Sequence, residues 1–387
     1  MKMVYRMILF TVTAVFFLSF SSGFAADTGQ YSITPGVQPG EKWRIAYYEG
    51  GHYPFYPKIL RAIVKELAVI DWTETVTFSA HQKEMKTDSL WKWLSSNVKS
   101  RYLEFVPDAY YSSDWDETLR EKNRHLFLER LEKKKDINLI IAMGTWAGQD
   151  LANDEHSVPV IVCGTADALR SKIITTSKDS GYDHVHAHID PAKYLKQIQT
   201  FHDIFKFGKL GMVFVNTSLG RSYAALEGVR EVAEERNFKI VECHTTYGVS
   251  MEQRESSVIK CVRKLAQKVD AFYLTMQAPV NRNTVPEIVS VMSRYKIPVF
   301  SQAGSHEVRQ GALLSIADSD FSLEGKFQAE TIAKVINGAK PRELNQILEV
   351  PTKIAFNAST AMQIGLKDDI YNLLLTTAEE VYNDIEK

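Results

Sequence analysis

Short apolar runs alternate with longer amphipathic segments along most of the chain. Residues 44–48 suit a short strand, and residues 137–143 and 158–163 form continuous apolar runs. Runs that are apolar on both faces are typical of parallel strands covered by helices on both sides. A helix after the first run is predicted by apolar residues at helical spacing, namely Ile59, Leu60, Ile63, Val64 and Leu67.

The same alternation repeats after a loop rich in Ser, Asp and Gly at residues 171–183. Strands alternating with helices of about 10–15 residues predict βαβ crossovers, and therefore an α/β fold with a doubly wound parallel sheet in each of two lobes. The predicted strands of this second series are 210–215, 238–243, 271–276 and 297–300, and its predicted helices are 222–236, 257–268 and 286–295.

Three further segments complete the predicted elements. Residues 79–113 do not fit one βαβ unit, and we interpret them as a helix and a strand inserted in the first lobe. Residues 327–337 predict an amphipathic helix ended by Gly338, and 353–356 a strand followed by a helix that Asn357 caps. A last helix is predicted from residues on one face: Ile370, Leu374, Ala378, Val381 and Ile385.

The first 25 residues have the pattern of a cleavable signal peptide. Lys2 and Arg6 precede an uncharged run at 7–20, and small residues follow at 23–25. Because about 20 apolar residues are needed to span a bilayer, the run is too short for an anchor. Without a nearby cysteine the chain is not predicted to be a lipoprotein. We expect export to the periplasm, with residues 26–42 forming a flexible N-terminal lead-in.

The composition is that of an ordinary globular protein. The 387 residues include 46 Lys and Arg against 47 Asp and Glu, which excludes a polycationic nucleic-acid binder and an acidic tail. Length predicts two or three domains. In an oxidising compartment Cys243 and Cys261 could pair, although their spacing alone does not show it. Cys163 lies in an apolar run and is interpreted as a buried hydrophobic residue.

Candidate ligand-binding residues follow the predicted strands, because open α/β sheets bind small molecules beyond the carboxyl ends of their strands. Gly144 and Thr145 are the best candidates for a carboxylate or phosphate site, and equally fit an ordinary helix start. Trp146 could stack on a planar ligand or simply pack. Arg221 could pair with an anion or lie at the surface. The full set is Tyr48, Glu49, His52, Gly144, Thr145, Trp146, Thr165, Asp167, Asn216, Arg221, Ser222, Gln277, Asn281 and Gln302.

Motifs that would define an enzyme were not found in the sequence. His306 and Glu307 begin an HExxH-like motif, but position 310 is Gln, so the second zinc ligand is missing. His184, His186 and His188 alternate and could hold a transition metal on one face of a strand, or be hydrogen-bonded to backbone or water. We predict no catalytic residue, no cofactor and no metal.

Several segments together resemble a known family. They are 136–147, 158–160 with 165–167, the loop 216–222, 296–300, 311–314 with Asp318, and above all 353–357 with Ala361, 364–366 and Ala378. Their order resembles the periplasmic-binding-protein type I fold and, within it, the substrate-binding family of ABC transporters whose better-known members take aromatic amino acids. Leu219 and Arg221 depart from the family's usual second-lobe loop.

The resemblance implies two lobes joined by a multi-strand hinge, with crossings near 164–167, 300–302 and 349–353. The first lobe would comprise 43–165 and 301–349, and the second 166–300 and 350–387. We expect a monomeric receptor that captures a small organic ligand, such as an amino acid or another carboxylate, and delivers it to an ABC permease. The alternatives are a sensory module for a membrane kinase or chemoreceptor and, less favoured, a secreted metalloenzyme.

Overall fold

The computed structural model describes residues 31–36, 38, 40, 42–316, 321–349 and 353–386. The predicted signal peptide lies outside the described residues. Within the described ranges, no helix combines the length and the apolar character needed to cross a membrane.

The first sheet has five parallel strands. They are β1 (Trp43–Glu49), β2 (Leu103–Ser112), β3 (Leu139–Met143), β4 (Val160–Cys163) and β5 (Val185–Ala187), in the spatial order β2-β1-β3-β4-β5. The helices between them are α1 (Tyr56–Val69), α2 (Ala80–Lys83), α3 (Thr87–Asn97), α4 (Glu117–Lys133) and α5 (Thr145–Leu151).

Both faces of this sheet are buried. Successive side chains of β1 alternate, so that Ile45 and Tyr47 enter one hydrophobic core and Ala46 and Tyr48 the other. Helix α12 (Ser322–Ile336) returns late in the chain to pack on α1. Gly325 permits this close approach, because a Cβ there would lie 2.6 Å from the Ala62 Cβ. We call this sheet with α1–α5 and α12 the first lobe.

The second sheet has seven strands. They are β6 (Lys209–Val215), β7 (Lys239–Thr245), β8 (Ala271–Leu274), β9 (Val299–Ser301), β10 (Leu314–Ile316), β11 (Ile354–Asn357) and β12 (Glu380–Tyr382), in the order β12-β11-β10-β9-β8-β6-β7. Only the pairing of β10 with β11 is antiparallel among the described strands. The predicted α/β fold with two doubly wound lobes is confirmed.

The second lobe consists of this sheet and its covering helices. They are α6 (Lys193–Phe205), α7 (Ser218–Tyr223), α8 (Leu226–Arg236), α9 (Met251–Leu265), α10 (Val285–Arg294), α11 (Ser305–Arg309), α13 (Ala358–Ile364) and α14 (Asp368–Thr377). A 3-10 turn at Pro341–Glu343 lies against β5 of the first lobe. As predicted, the Asn357 side chain caps α13 by accepting a hydrogen bond from the Thr360 amide.

The strands of each sheet show that the predicted crossings at 164–167 and 300–302 are wrong. The predicted lobe boundaries at 165/166 and 300/301 are wrong for the same reason. β5 still belongs to the first sheet, so the chain passes to the second lobe between Ala187 and Lys193. β10 still belongs to the second sheet, so the return lies between Ile316 and Ser322. The turns after β4 and β9 end ordinary strands, because a further strand of the same sheet follows each.

Residues 79–113 are not an insertion. They contain α2, α3 and β2, and β2 is the edge strand of the first sheet, pairing in parallel with β1 from Trp43 and Leu103 onward. The register shifts between Ile45 and Tyr47, which marks an irregularity in the strand pair. The Tyr110 ring stacks on Tyr47, with centroids 5.4 Å apart. The segment therefore completes the crossover that begins with α1 and supplies the second strand of the first βαβ unit.

One prediction about the C-terminal end of the chain is also wrong. The last helix stops at Thr377, and Val381 lies in β12, which pairs with β11. In the predicted lead-in, residues 32–34 form hydrogen bonds with the first lobe. The Trp72 indole donates a hydrogen bond to the Ile33 carbonyl at 2.7 Å. The Asn337 side chain, just after the end of α12, donates hydrogen bonds to the Ser32 and Thr34 carbonyls.

The sequence left open whether Cys243 and Cys261 pair, and it indicated that Cys163 is buried. Cys243 on β7 and Cys261 on α9 form a disulfide. Cys163 is free and fully buried at the end of β4, as expected.

Glu307 is a carboxyl group buried inside the second lobe. It accepts a hydrogen bond from the Ser301 hydroxyl at 2.6 Å, and burial raises its pKa to about 8. The unfolded chain loses this proton near the ordinary value of 4.5, whereas the folded protein retains it. The carboxyl therefore makes the free energy of unfolding decrease as the pH rises from about 5 to 8.

Glu307→Gln, a neutral variant of the same shape, should remove this dependence. We expect its free energy of unfolding, relative to the unmodified protein, to increase between pH 5 and pH 8 in urea titrations. Glu231→Gln, at an exposed position of α8, is the matched control and should leave the pH profile unchanged. Parallel profiles for Glu307→Gln and the unmodified protein would contradict the assignment.

Candidate functional site

A cavity of about 380 Å³ lies between the two lobes, at the carboxyl ends of their strands. Its volume is in the usual range of small-molecule sites, about 300–1,000 Å³. The first lobe contributes Tyr53, Tyr56, Trp115, Glu117, Thr145, Trp146, Gly164 and Ala166. The second contributes Phe214, Val215, Thr217, Ser218, Leu219, Gly220, Tyr223, Tyr247, Arg254, Met276, Gln277 and Ala278.

Aromatic rings form much of the first-lobe wall. The Trp115 and Trp146 rings meet edge to face with centroids 5.4 Å apart. Trp115 has a left-handed backbone (φ 61°) and is held in it by two hydrogen bonds, from its amide to the Gly50 carbonyl and from its indole to the His52 carbonyl, both 2.9 Å. A strained residue fixed in this way is common at binding sites. The wall presents rigid ring surfaces to a ligand.

One cation of the cavity lacks a carboxylate partner. Arg254, in the first turn of α9, lies with its guanidinium 5.8 Å from the centroid of the Tyr247 ring. Among the described residues it forms no ion pair, and its Nε is buried without a hydrogen-bond partner. Burial lowers its pKa. Since a partly buried charge without a counter-charge is unfavourable, this group is suited to an anionic ligand atom.

Side chains of the two lobes contact each other at the cavity and near it. The Tyr247 hydroxyl of the second lobe donates to Glu117 of the first at 2.8 Å. Ser171 and Ser222 bring their hydroxyl oxygens within 3.2 Å across the lobes. Burial raises the pKa of Tyr223 to about 12, and a hydrogen bond with the Thr145 side chain lowers it. These contacts must break for the lobes to separate.

Three of the residues predicted from sequence line this cavity: Thr145, Trp146 and Gln277. Three others support it from behind. Gly144 leaves room for the Tyr56 hydroxyl, which occupies the place of a Cβ. The Gln302 side chain accepts from the Met276 amide and donates to the Tyr223 carbonyl, both at 2.8 Å, and so ties two cavity loops together. Ser222 forms the interlobe contact described above.

Predicted residues on the first strand and its loop lie outside the cavity. Tyr48 and Glu49 are within β1 rather than beyond its end, and both are fully buried. The Tyr48 hydroxyl donates to Asp150 at 3.0 Å. Burial raises the pKa of Glu49, which accepts hydrogen bonds from three hydroxyls, those of Tyr47, Tyr110 and Ser112. His52 reaches the wall only through its carbonyl.

The remaining predicted residues also lie outside the lining of this cavity. Thr165 and Asp167 line a separate cavity of about 230 Å³ beside the crossings. Asn216 and Arg221 are exposed and bond to each other at 3.3 Å. The Asn281 side chain donates to Glu255 at 2.7 Å. Arg221 therefore does not face the cavity, and the cation that does is Arg254.

Sequence reasoning missed several cavity residues although signals for them exist. Trp115 and Glu117 follow β2, so they would have been found once that strand was recognised. Tyr247 follows β7 in the same way. Arg254 lies in α9, which begins six residues earlier than predicted; the capping box of Ser250 and Gln253 marks that start.

The three alternating histidines have different partners. His186 bonds the Asn345 carbonyl at 2.9 Å, His188 bonds the Gln328 side chain at 2.7 Å, and the His184 ring packs on His156. In the described part of the chain no group of three His, Cys, Asp or Glu residues is placed to hold a metal ion. The three histidines act as structural side chains between β5 and its neighbours.

The architecture and cavity define a two-lobed solute receptor of the periplasmic-binding-protein type I class. The family model described as "ABC transporter substrate binding protein" matches residues 112–382. The chain belongs to this family, as the resemblance implied, and the family is one of substrate-binding proteins rather than enzymes. The comparison with curated proteins finds no match.

Solved structures show the same fold at low sequence identity. A conserved domain protein from Vibrio cholerae is 14% identical over 88% of this chain and 100% of that chain, with a TM-score of 0.65. An ABC domain in complex with L-Trp from Streptococcus pneumonia is 17% identical over 87% and 99%, with a TM-score of 0.64. A ligand-free, open substrate-binding protein with adhesive properties from Clostridium difficile is 17% identical over 89% and 100%, with a TM-score of 0.57.

Proposed function

We propose that the protein captures a small solute with a planar or apolar body and a carboxylate, an aromatic amino acid being the first candidate, and delivers it to an ABC permease. The observation that carries this proposal is the Arg254 guanidinium, which lines a cavity with seven aromatic residues and has no carboxylate partner among the described residues. The guanidinium suits a carboxylate because it can donate two parallel hydrogen bonds.

The rest of the cavity suits the other parts of such a ligand. Trp115, Trp146 and Tyr53 offer ring surfaces to a planar side chain. Glu117, which accepts one hydrogen bond from Tyr247, retains acceptor capacity for an ammonium group. The structural relative from Streptococcus pneumonia, whose title names L-Trp, agrees with this ligand class, although at 17% identity it shares only the fold.

Capture requires the lobes to open and close. The contacts between Tyr247 and Glu117 and between Ser171 and Ser222 join the lobes, so we infer a closed arrangement in which a solute is trapped. Rotation of one lobe relative to the other would open it. Bound solute favours closure through the contacts that it makes with both lobes.

Export is part of the proposal. The signal-peptide pattern at residues 1–25 and the Cys243–Cys261 disulfide both favour an oxidising extracytoplasmic compartment. A receptor of this kind would meet its solute in the periplasm and release it to a permease in the inner membrane.

The test compares amino acids with analogues that lack one charged group. Calorimetric titration of the purified protein should show binding of L-Trp, L-Phe or L-Tyr, and a rise of several degrees in Tm at ligand concentrations of about 100 times Kd. Removing the carboxylate, as in tryptamine against L-Trp, should abolish most of the affinity. If no aromatic carboxylate binds, or the decarboxylated amine binds equally well, the proposed ligand class is wrong.

A further inference from the structure

A second groove between the lobes, of about 470 Å³, is lined by cations from both of them. Lys58 and Arg61 lie on α1 of the first lobe, and Arg309 lies on α11 of the second. Lys65 and Lys83 add two more positive charges, against the carboxylates of Glu66 and Glu84. None of these residues lines the solute cavity.

The central cations of this basic groove are not neutralised by ion pairs. In the described part of the chain, no carboxylate lies within 4.0 Å of the charged nitrogens of Lys58, Arg61 or Arg309. Arg61 is only 8% exposed, and its one described hydrogen bond goes to the Gln82 carbonyl, at 3.2 Å. Arg309 lies over the Tyr382 ring, 5.2 Å from its centroid. A hydrogen bond with Tyr382 and the more distant charges of Glu386 and Glu380 raise the pKa of Arg309.

The positive charges of the two lobes repel one another across the groove. Burial lowers the pKa of Lys58, and the charges of Arg309 and Arg61 lower it further. Burial also lowers the pKa of His306 to about 3, with further contributions from Lys58 and Arg309. The positive charges of the two lobes are therefore close enough to interact across the groove. An anion bound between them would reduce their repulsion.

Aromatic rings form an apolar floor under these charges. The Phe55 ring of the first lobe meets the His306 ring of the second at 4.7 Å and the Phe321 ring at 5.3 Å, and the Lys58 ammonium lies 5.7 Å from the Phe55 centroid. Because an apolar floor excludes water, charge interactions above it are stronger than at an open surface. The groove is concave and spans the lobe boundary.

We propose that the basic groove binds a polyvalent phosphate-type anion, which bridges Lys58 of the first lobe and Arg309 of the second and so stabilises the closed arrangement. Such an anion can pair with the compact charge of a lysine ammonium and can accept two parallel hydrogen bonds from an arginine guanidinium. The site is separate from the solute cavity, and its occupancy would raise solute affinity by favouring closure.

Inorganic pyrophosphate, titrated calorimetrically at constant ionic strength, is the probe. We expect one saturable site whose affinity falls at least tenfold in Lys58→Gln and in Arg309→Gln. Lys122→Gln, at an exposed position of α4, removes the same charge outside the groove and should change the affinity less than twofold. Arg254→Gln should retain pyrophosphate binding, which separates this site from the solute cavity.

Two results would overturn the proposal: no saturable pyrophosphate binding, or equal losses in Lys58→Gln, Arg309→Gln and Lys122→Gln. Unchanged melting temperatures would show that the variants fold. Flotation with vesicles that contain cardiolipin, a lipid whose headgroup carries two phosphates, identifies the source of the phosphate. Vesicle binding that pyrophosphate displaces and Lys58→Gln abolishes indicates a lipid headgroup, and pyrophosphate binding without vesicle binding indicates a soluble anion.

Discussion

Arg254→Ala should weaken binding of an aromatic amino acid by about 10- to 150-fold, measured by calorimetric titration. A hydrogen bond to a charged group contributes about 1.5–3 kcal/mol, and each 1.4 kcal/mol is a tenfold change in Kd. The effect should be large because the guanidinium has no carboxylate partner among the described residues, so the ligand would supply its counter-charge. Affinity for the decarboxylated amine should change little.

Arg221→Ala is the matched control. Arg221 belongs to the same lobe and carries the same charge, but it is exposed and bonds Asn216 outside the cavity. We expect its Kd for the amino acid to stay within twofold of the unmodified protein. A larger loss in Arg221→Ala than in Arg254→Ala would contradict the assignment of the carboxylate site and favour the cation expected from sequence alone.

Gly144→Ala should lower the free energy of unfolding by about 2–5 kcal/mol, since it combines backbone strain with overpacking. Gly144 has φ 86° and ψ 175°, a conformation that only glycine adopts readily, and a Cβ would overlap the Tyr56 hydroxyl. Because Tyr56 lines the cavity, the displaced ring should also weaken solute binding. Urea denaturation and calorimetric titration measure the two effects.

Gly338→Ala separates backbone strain from the clash. Gly338 also has a positive φ, 103°, but no atom lies within 4 Å of a Cβ built there. Its loss of stability should therefore be confined to the strain, about 1–2 kcal/mol. Equal losses in the two variants would show that the contact between Gly144 and Tyr56 does not matter.

The central strands were predictable because both of their faces are buried. Residues 139–143 and 160–163 are fully enclosed, so the apolar run itself marks them. The edge strand β2 is half exposed and irregular in register, so its apolar pattern is broken. β12 was misread because Ala378 and Val381 also fall at helical spacing from Leu374. Edge strands depend on pairing with a neighbour, which a local pattern does not contain.

The binding site was predictable as a set of loops but not as a set of side chains. The rule for the carboxyl ends of strands led to Thr145, Trp146 and Gln277. It also included Tyr48 and Glu49, which point to the interior of the first lobe. Which residue of a loop enters the cavity depends on how the two lobes meet, as the choice between Arg221 and Arg254 shows. That arrangement is a long-range property of the fold.

The disulfide closes a covalent ring in the second-lobe wall of the cavity. Cys243 and Cys261 close a ring of the chain, and Tyr247 and Arg254 both lie inside that ring. A covalent ring has fewer conformations than an open segment, so these two side chains lose less freedom when a solute arrives. Thiol oxidation and solute recognition are therefore linked, and molecules that have not yet formed the bridge should be the poorer receptors.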